Sequence, residues 1–293
     1  MSAEDATRDL KVMLGDPRTA VLAMSGPLIV SFLVVQINSF ADTTWCSLLG
    51  LDPSSAVSTI SPVYWIVSGL GASIGVGAAT AIARRLGRGE KADADSLAVQ
   101  TMVVSVIISL VATPILWLAQ DPLIYMMGAD DVRDLCREYI DPIVLGTLPM
   151  VINGVVSGIL RSEGAAKHST AMLLVAAVLN IVLDPILMFG LDMGLAGAGW
   201  ATTIATVIST CVGLWWYARG SMYLSMSFRG FRPRLDLIKE VLFVGIPRAT
   251  ETTLISLMSM IQRIFVIACG GTLGAALYNI PWRRSSPRRS DLR

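Results

Sequence analysis

Asp184 lies within NIVLDPILMFGLDMGLAGAGWATTIATVI, residues 180–208, a stretch that sets Asn180, Asp184 and Thr202 inside two apolar segments joined by a Gly-rich turn. A carboxylate at mid-membrane costs about 2.5–3.5 kcal/mol on insertion scales, so one kept there marks a functional site and obliges the other helices to supply partners. Seven apolar runs frame that requirement, at residues 19–49, 54–83, 97–119, 139–160, 169–190, 195–217 and 241–269. At about 20 residues or more, such runs exceed ordinary strands and suit membrane-crossing helices. With 54% of its residues hydrophobic and 15% charged, the chain is predicted to be an all-α polytopic membrane protein. A large soluble α/β protein with buried parallel strands does not fit runs of that length.

The positions of the basic residues predict orientation. The N-terminal flank and the loops at residues 84–94, 161–168 and 218–239 carry fourteen Lys and Arg, whereas the three opposite loops carry two. By the positive-inside rule the first set, and the N-terminus with it, is cytoplasmic, and the cell membrane is the expected location. The N-terminal MSAEDATRDLKVMLGDPRT is not followed by a short apolar core with an A-x-A-like cleavage site, so the first span is expected to be retained. Cys46, Cys136, Cys211 and Cys269 lack C-x-x-C spacing and suggest neither a disulfide framework nor zinc. The single histidine, His168, is expected to be a solvated residue of the basic turn RSEGAAKHS. No nucleophile, base and orienting acid converge, so no enzyme is predicted, and no nucleic-acid partner either.

Span one holds Pro27, Gln36, Asn38 and Asp42, too much polarity for a helix facing only lipid. Pro27 removes a backbone donor and kinks the helix, either as a fixed bend or as one whose angle changes during function. Span two carries SGLGASIGVGAATA, whose small residues permit close helix approach and, with no following Lys, do not form a phosphate loop. Glu251 has Arg248 one turn away, which favours an ion pair over a second acidic site.

An internal repeat appears at an offset of 220 residues: PLIVSFLVVQINSFADTTWCSLLG, from Pro27, falls on PRATETTLISLMSMIQRIFVIACG, from Pro247. An even number of spans separates the copies, which makes them parallel repeats, and two six-span halves require roughly twelve helices. The tail PWRRSSPRRSDLR departs from the apolar continuation of the first copy, and a truncated second half is expected. The predicted division is a cytoplasmic segment at 1–18, a six-helix lobe at 19–217, an inter-lobe loop at 218–239, the start of a second lobe at 240–281 and a basic tail at 282–293.

Counting along the spans sets Asp42 eight residues before Gly50, Asp184 six before Gly190 and Thr202 seven after Leu195, hence at similar depths. Tyr139 begins its span at the same side, and Asn180 lies one turn from Asp184 on the same helix face. Two carboxylates sharing a buried site require a proton or a cation between them. Hard carboxylate, amide and hydroxyl oxygens suit Na⁺ or H⁺ better than a soft transition metal. The alternative is that Asp184 and Asn180 only pin helices together.

Pro27 and Asp42, with GLGASIGVGAATAIARRLGRGE, LRSEGAAKHS and NIVLDPILMFGLDMGLAGAGWATTIA, resemble the multidrug and toxic compound extrusion (MATE) transporters, in particular the prokaryotic branch with an N-lobe cation site. The resemblance implies two six-helix lobes, a central cavity open alternately to each side, and cation-coupled antiport of amphipathic organic cations. It assigns Asp42, Asn180, Asp184 and Thr202 to the Na⁺ or H⁺ site, Tyr139 and Asn153 to its hydrogen-bond network, and Pro27 to a bend that shifts as the site fills. No cofactor beyond the coupling ion is implied. The partners expected are membrane lipid and a small cationic substrate, with the chain a monomer or complemented by a separate second-lobe fragment. A lipid-linked sugar flippase of the same architecture, or a non-transporting membrane fragment, are the alternatives, the flippase disfavoured by the scarcity of Lys and Arg within the spans.

Overall fold

A computed structural model describes residues 17–127, 129–227 and 233–278. The basic tail, most of the N-terminal segment and part of the inter-lobe loop lie outside the described residues. Among the described residues eight α-helices follow in order: α1 (Pro17–Leu48), α2 (Leu51–Gly87), α3 (Lys91–Met126), α4 (Arg133–Leu145), α5 (Thr147–Ser162), α6 (Ala166–Pro185), α7 (Gly194–Ala218) and α8 (Leu235–Tyr278). Six of them are long and apolar enough to cross a membrane alone, and α4 with α5 makes a seventh crossing bent by 54°. The all-helical membrane architecture expected from the apolar runs is therefore present among the described residues. Large apolar side chains such as Phe32, Phe40 and Phe243 stand uncovered on α1 and α8, as lipid-facing surfaces require.

The fourth span differs from its expectation as one helix over residues 139–160. It breaks at Gly146, because Pro142 and Pro149 each withhold a backbone donor from their own turn. The Thr203 hydroxyl of α7 donates to the Pro142 carbonyl at 2.9 Å, and a Cβ on Gly146 would meet Thr203 Cγ2 at 2.7 Å. The break thus seats α7 against the bend.

The glycine-rich part of α2 packs against α5 backbone to backbone. A Cβ on Gly154 would lie 2.5 Å from the Gly71 carbonyl carbon and 2.7 Å from the Ala72 nitrogen, and one on Gly158 would lie 2.7 Å from Gly75 Cα. No side chain can yield there, since the atoms opposed are main chain. Gly154→Val is expected to cost at least about 1–3 kcal/mol through overpacking, read as a lower melting temperature of the purified chain in detergent. Gly87→Ala, at a position with nothing within 4 Å, is the substitution that leaves melting unchanged.

Around this seam, α1 packs on α6, α7 on α4, α5 and α6, and α8 along α2. Pro27 lies inside α1 and Pro247 inside α8, matching positions of the internal repeat. The Arg248 and Glu251 side chains pair at 2.7 Å, the ion pair that their spacing predicted.

His168 departs from its expected solvated position. It is buried in the first turn of α6, its ring edge-on to Trp216 with centroids 4.8 Å apart. The chain turns within three residues between α5 and α6, too tightly to hold the imidazole in solvent. Beside it the buried Glu163 joins two elements, accepting from Tyr217 Oη at 2.6 Å and from the Leu224 amide at 2.8 Å. Asp95 of α3 accepts from the Ser225 amide at 2.8 Å, and Lys91 Nζ lies 4.7 Å from the Tyr223 ring centroid. Residues 221–225 are thereby clasped to this end of the bundle.

Candidate functional site

At the other end, α6 stops being a regular α-helix one residue after Asp184. Pro185 has no N–H to give the preceding turn, and Ile186–Gly190 continue as a wide π turn. α7 comes back hard against that turn, so that a Cβ on Gly197 would be 2.7 Å from Met188 N. This hairpin holds Asn180, Asp184 and Thr202 in one hydrogen-bonded group: Asn180 Nδ2 donates to Asp184 Oδ1 and to Thr202 Oγ1, each at 3.2 Å.

The partner expected from α1 is in place. Asp42 meets Asp184 with the two carboxyl groups at hydrogen-bonding separation. Two carboxyl groups in that relation make a bond only if a proton lies between them, and repel if both are ionised. Asp184 is fully buried behind Asn180, while Asp42 reaches a cavity of about 310 Å³ enclosed by α1, α2 and α4–α7. Asn38, Asp42, Tyr64, Tyr139, Asn180 and Thr202 contribute to its polar wall, and among the described residues no Lys or Arg lines it.

Asp42 Oδ1, Asp184 Oδ2 and Asn38 Oδ1 are all buried without a hydrogen-bond donor. Buried acceptors without donors are costly, so three of them at one carboxylate pair fit a proton or a hard cation as the missing group. Among the described residues no three His, Cys, Asp or Glu side chains cluster as for a transition metal.

Tyr139 is buried on α4 and faces the cavity. Asn153 also lines it, but its amide is committed to α7, donating to Ser209 Oγ at 3.0 Å and Thr210 Oγ1 at 3.2 Å. It supports the wall and makes no direct bond to the carboxylate pair. Pro27 lies far along α1 from Asp42, with its carbonyl accepting from Ser31 Oγ at 2.8 Å and from Thr170 Oγ1 of α6 at 3.1 Å. Pro27 is thus tied to the helix that carries Asp184.

Asn38 was not singled out from the sequence as a site residue. Its spacing to Asp42 equals that of Asn180 to Asp184, four residues on one helix face, and that pairing was the available signal.

Comparison with known proteins agrees with this arrangement. The MatE family model matches residues 27–186. The multidrug export protein MepA of Staphylococcus saprophyticus is 25% identical over 265 residues, covering 90% of this chain and 58% of its own length. MepA of Staphylococcus aureus is likewise 25% identical, over 268 residues, with 90% and 59% covered. The chain therefore spans somewhat under two thirds of the length of these relatives. A MOP superfamily transporter from Pyrococcus furiosus superposes with a TM-score of 0.85 at 32% identity, over 92% of this chain and 60% of that one. A multidrug resistance MATE transporter in its outward-facing conformation gives the same TM-score, identity and coverage. With the family match extending over more than half of its residues, and the fold and membrane spans in agreement, the chain belongs to the MATE family of multi-pass membrane transporters.

Proposed function

We propose that this chain forms the ion-binding lobe of a cation-coupled exporter of amphipathic organic compounds, with Na⁺ or H⁺ held between Asp42 and Asp184. The observation that carries the reading is the facing of these two carboxyl groups from α1 and α6, with a buried oxygen of each left without a donor. Asn180 orients the Asp184 carboxylate, and Thr202 holds Asn180. Because Asp42 alone of the pair lines the cavity, exchange with the aqueous side runs through it. Substrate export is supported by the relatives, which are multidrug export proteins.

On the same reading the N-terminus is cytoplasmic, residues 19–217 form the first lobe, 218–239 the connection and 240–281 the start of a second lobe. Among the described residues no Lys or Arg lines the cavity, which favours this over a flippase for anionic lipid-linked sugars.

The test uses the full chain reconstituted into vesicles loaded with a fluorescent lipophilic cation. Imposed Na⁺ and H⁺ gradients, applied separately, are expected to drive its release under one gradient and to leave Asp42→Asn vesicles at the leak rate. Release at equal rates with and without either gradient overturns the coupling. Addition of Na⁺ to unbuffered protein, followed with a pH indicator, shows whether a proton leaves as the cation enters.

A further inference from the structure

A second cavity, of about 190 Å³, lies among α1, α5 and α6 on the side of the lobe away from the carboxylate pair. Its polar lining comes from Ser31, Asn153, Ser157, Arg161, Ser169 and Thr170, with Leu28, Met172 and Leu173 beside them. Ser169 and Asp184 stand fifteen residues apart on α6, which puts this cavity about 22 Å along the bundle from the acidic group.

Arg161 is the charge in it. Its Nη1 donates to Ser157 Oγ at 2.6 Å and to Ser169 Oγ at 2.9 Å, and those two hydroxyls bond each other at 2.7 Å. These partners are neutral. Among the described residues no carboxylate lies within the 4.0 Å of an ion pair, unlike Arg84 and Arg85, which share Glu240, or Arg234, which has Asp93 and Asp236. The adjacent Glu163 is turned away toward Tyr217 and Leu224, Lys167 is exposed, and His168 packs on Trp216. The rest of the guanidinium fork bonds no described residue.

A guanidinium presents donors in a planar fork that matches carboxylate and phosphate oxygens. The carbonyls ending α5 favour the positive charge at that position but do not neutralise it. A cavity that combines such a fork, the one hydroxyl hydrogen that the Ser157–Ser169 pair leaves free and apolar walls matches the head and first methylenes of an anionic amphiphile. We infer that this cavity binds a single oxyanion group, the phosphate of an acidic lipid headgroup or free phosphate, on Arg161 with Ser157 and Ser169. This site does not rest on the cation reading, because neither Asp42 nor Asp184 lines it, although Asn153 and Leu173 line both cavities. Its wall includes Leu28 and Ser31, so that an occupant touches α1 beside Pro27.

Native mass spectrometry of the full chain released from neutral detergent distinguishes the sources, using phosphatidylglycerol, phosphatidylcholine and inorganic phosphate as separate probes. One phosphatidylglycerol per chain is expected at tenfold or greater retention over phosphatidylcholine, falling at least tenfold in Arg161→Gln and partly restored in Arg161→Lys. Arg161-dependent retention of inorganic phosphate instead assigns the site to the free anion. The Ser157→Ala/Ser169→Ala pair, which keeps the charge and removes the hydroxyls that aim it, is expected to lower retention severalfold and serves if Arg161→Gln does not fold. Arg88→Gln, at an exposed position, should leave retention unchanged. Equal retention of either anionic probe by the wild type and by the Arg161 and serine variants overturns the site, as does retention of neither.

Discussion

Asp184→Asn is expected to abolish the stabilisation that a saturating coupling cation gives the purified chain, while leaving the ion-free protein as stable as the wild type or more so. A cation that binds only the folded state adds about 2.7 kcal/mol at a hundredfold excess over its dissociation constant. In wild-type protein the ion neutralises two buried carboxyl groups, of which Asp42 Oδ1 and Asp184 Oδ2 lack donors. An amide at position 184 keeps the oxygen that accepts from Asn180 and turns an N–H₂ toward Asp42. The repulsion is gone, and so is the reason to bind. Asp42→Asn should act alike, and the double variant should add almost nothing to either single one, with an interaction energy of at least about 1 kcal/mol as for groups in direct contact. Scanning fluorimetry with NaCl exchanged for choline chloride, then across pH at fixed salt, measures both forms of the response. A full Na⁺ or pH response in Asp184→Asn would mean that the pair only pins α1 to α6.

The membrane architecture was legible because hydrophobic run length is a local property. Seven runs give seven crossings, and the internal repeat aligned two prolines that both lie inside long helices. Asp42 and Asp184 were legible as a pair for a related reason: span topology fixes depth, and depth left few partners for a buried acid. The break at Gly146 has a local cause in Pro142 and Pro149, but its use as a seat for α7 was not legible, since that depends on Thr203 reaching Pro142 across 61 residues of chain. The same holds for Asn153, whose type suited the ion group but whose amide is taken by Ser209 and Thr210. His168 and Glu163 were misjudged or missed because a charged, Gly-containing turn reads as solvent-exposed in sequence. Here the segment at 221–225 folds back over it, with Met222 and Leu224 buried.

That fold-back gives Glu163 a pH dependence opposite in sign to that of an exposed, ion-paired carboxylate. Burial pushes its carboxyl from 4.5 up to about 7, outweighing the hydrogen bonds from Tyr217 and Leu224 that favour the anion, and the nearby Asp95 charge acts in the same direction as burial. Between these two values the clasped state holds a proton that the open state releases. Stability therefore falls as pH rises: the contribution is complete below about pH 4.5, declines through the window and is flat above about 7. A shift of that size corresponds to roughly 3 kcal/mol, or a change on the order of a hundredfold in the opening equilibrium. Amide exchange at Leu224, corrected for the intrinsic rate, should show protection decreasing by that factor across the window. Glu163→Gln carries the neutral form permanently and should give high, pH-independent protection. Glu163→Ala strips partners from a buried hydroxyl and a buried amide at about 1–3 kcal/mol each, and should leave Leu224 unprotected at every pH. Protection that instead increases with pH in the wild type would show that the bonds from Tyr217 and Leu224 outweigh burial, and that the clasp is built for the anion.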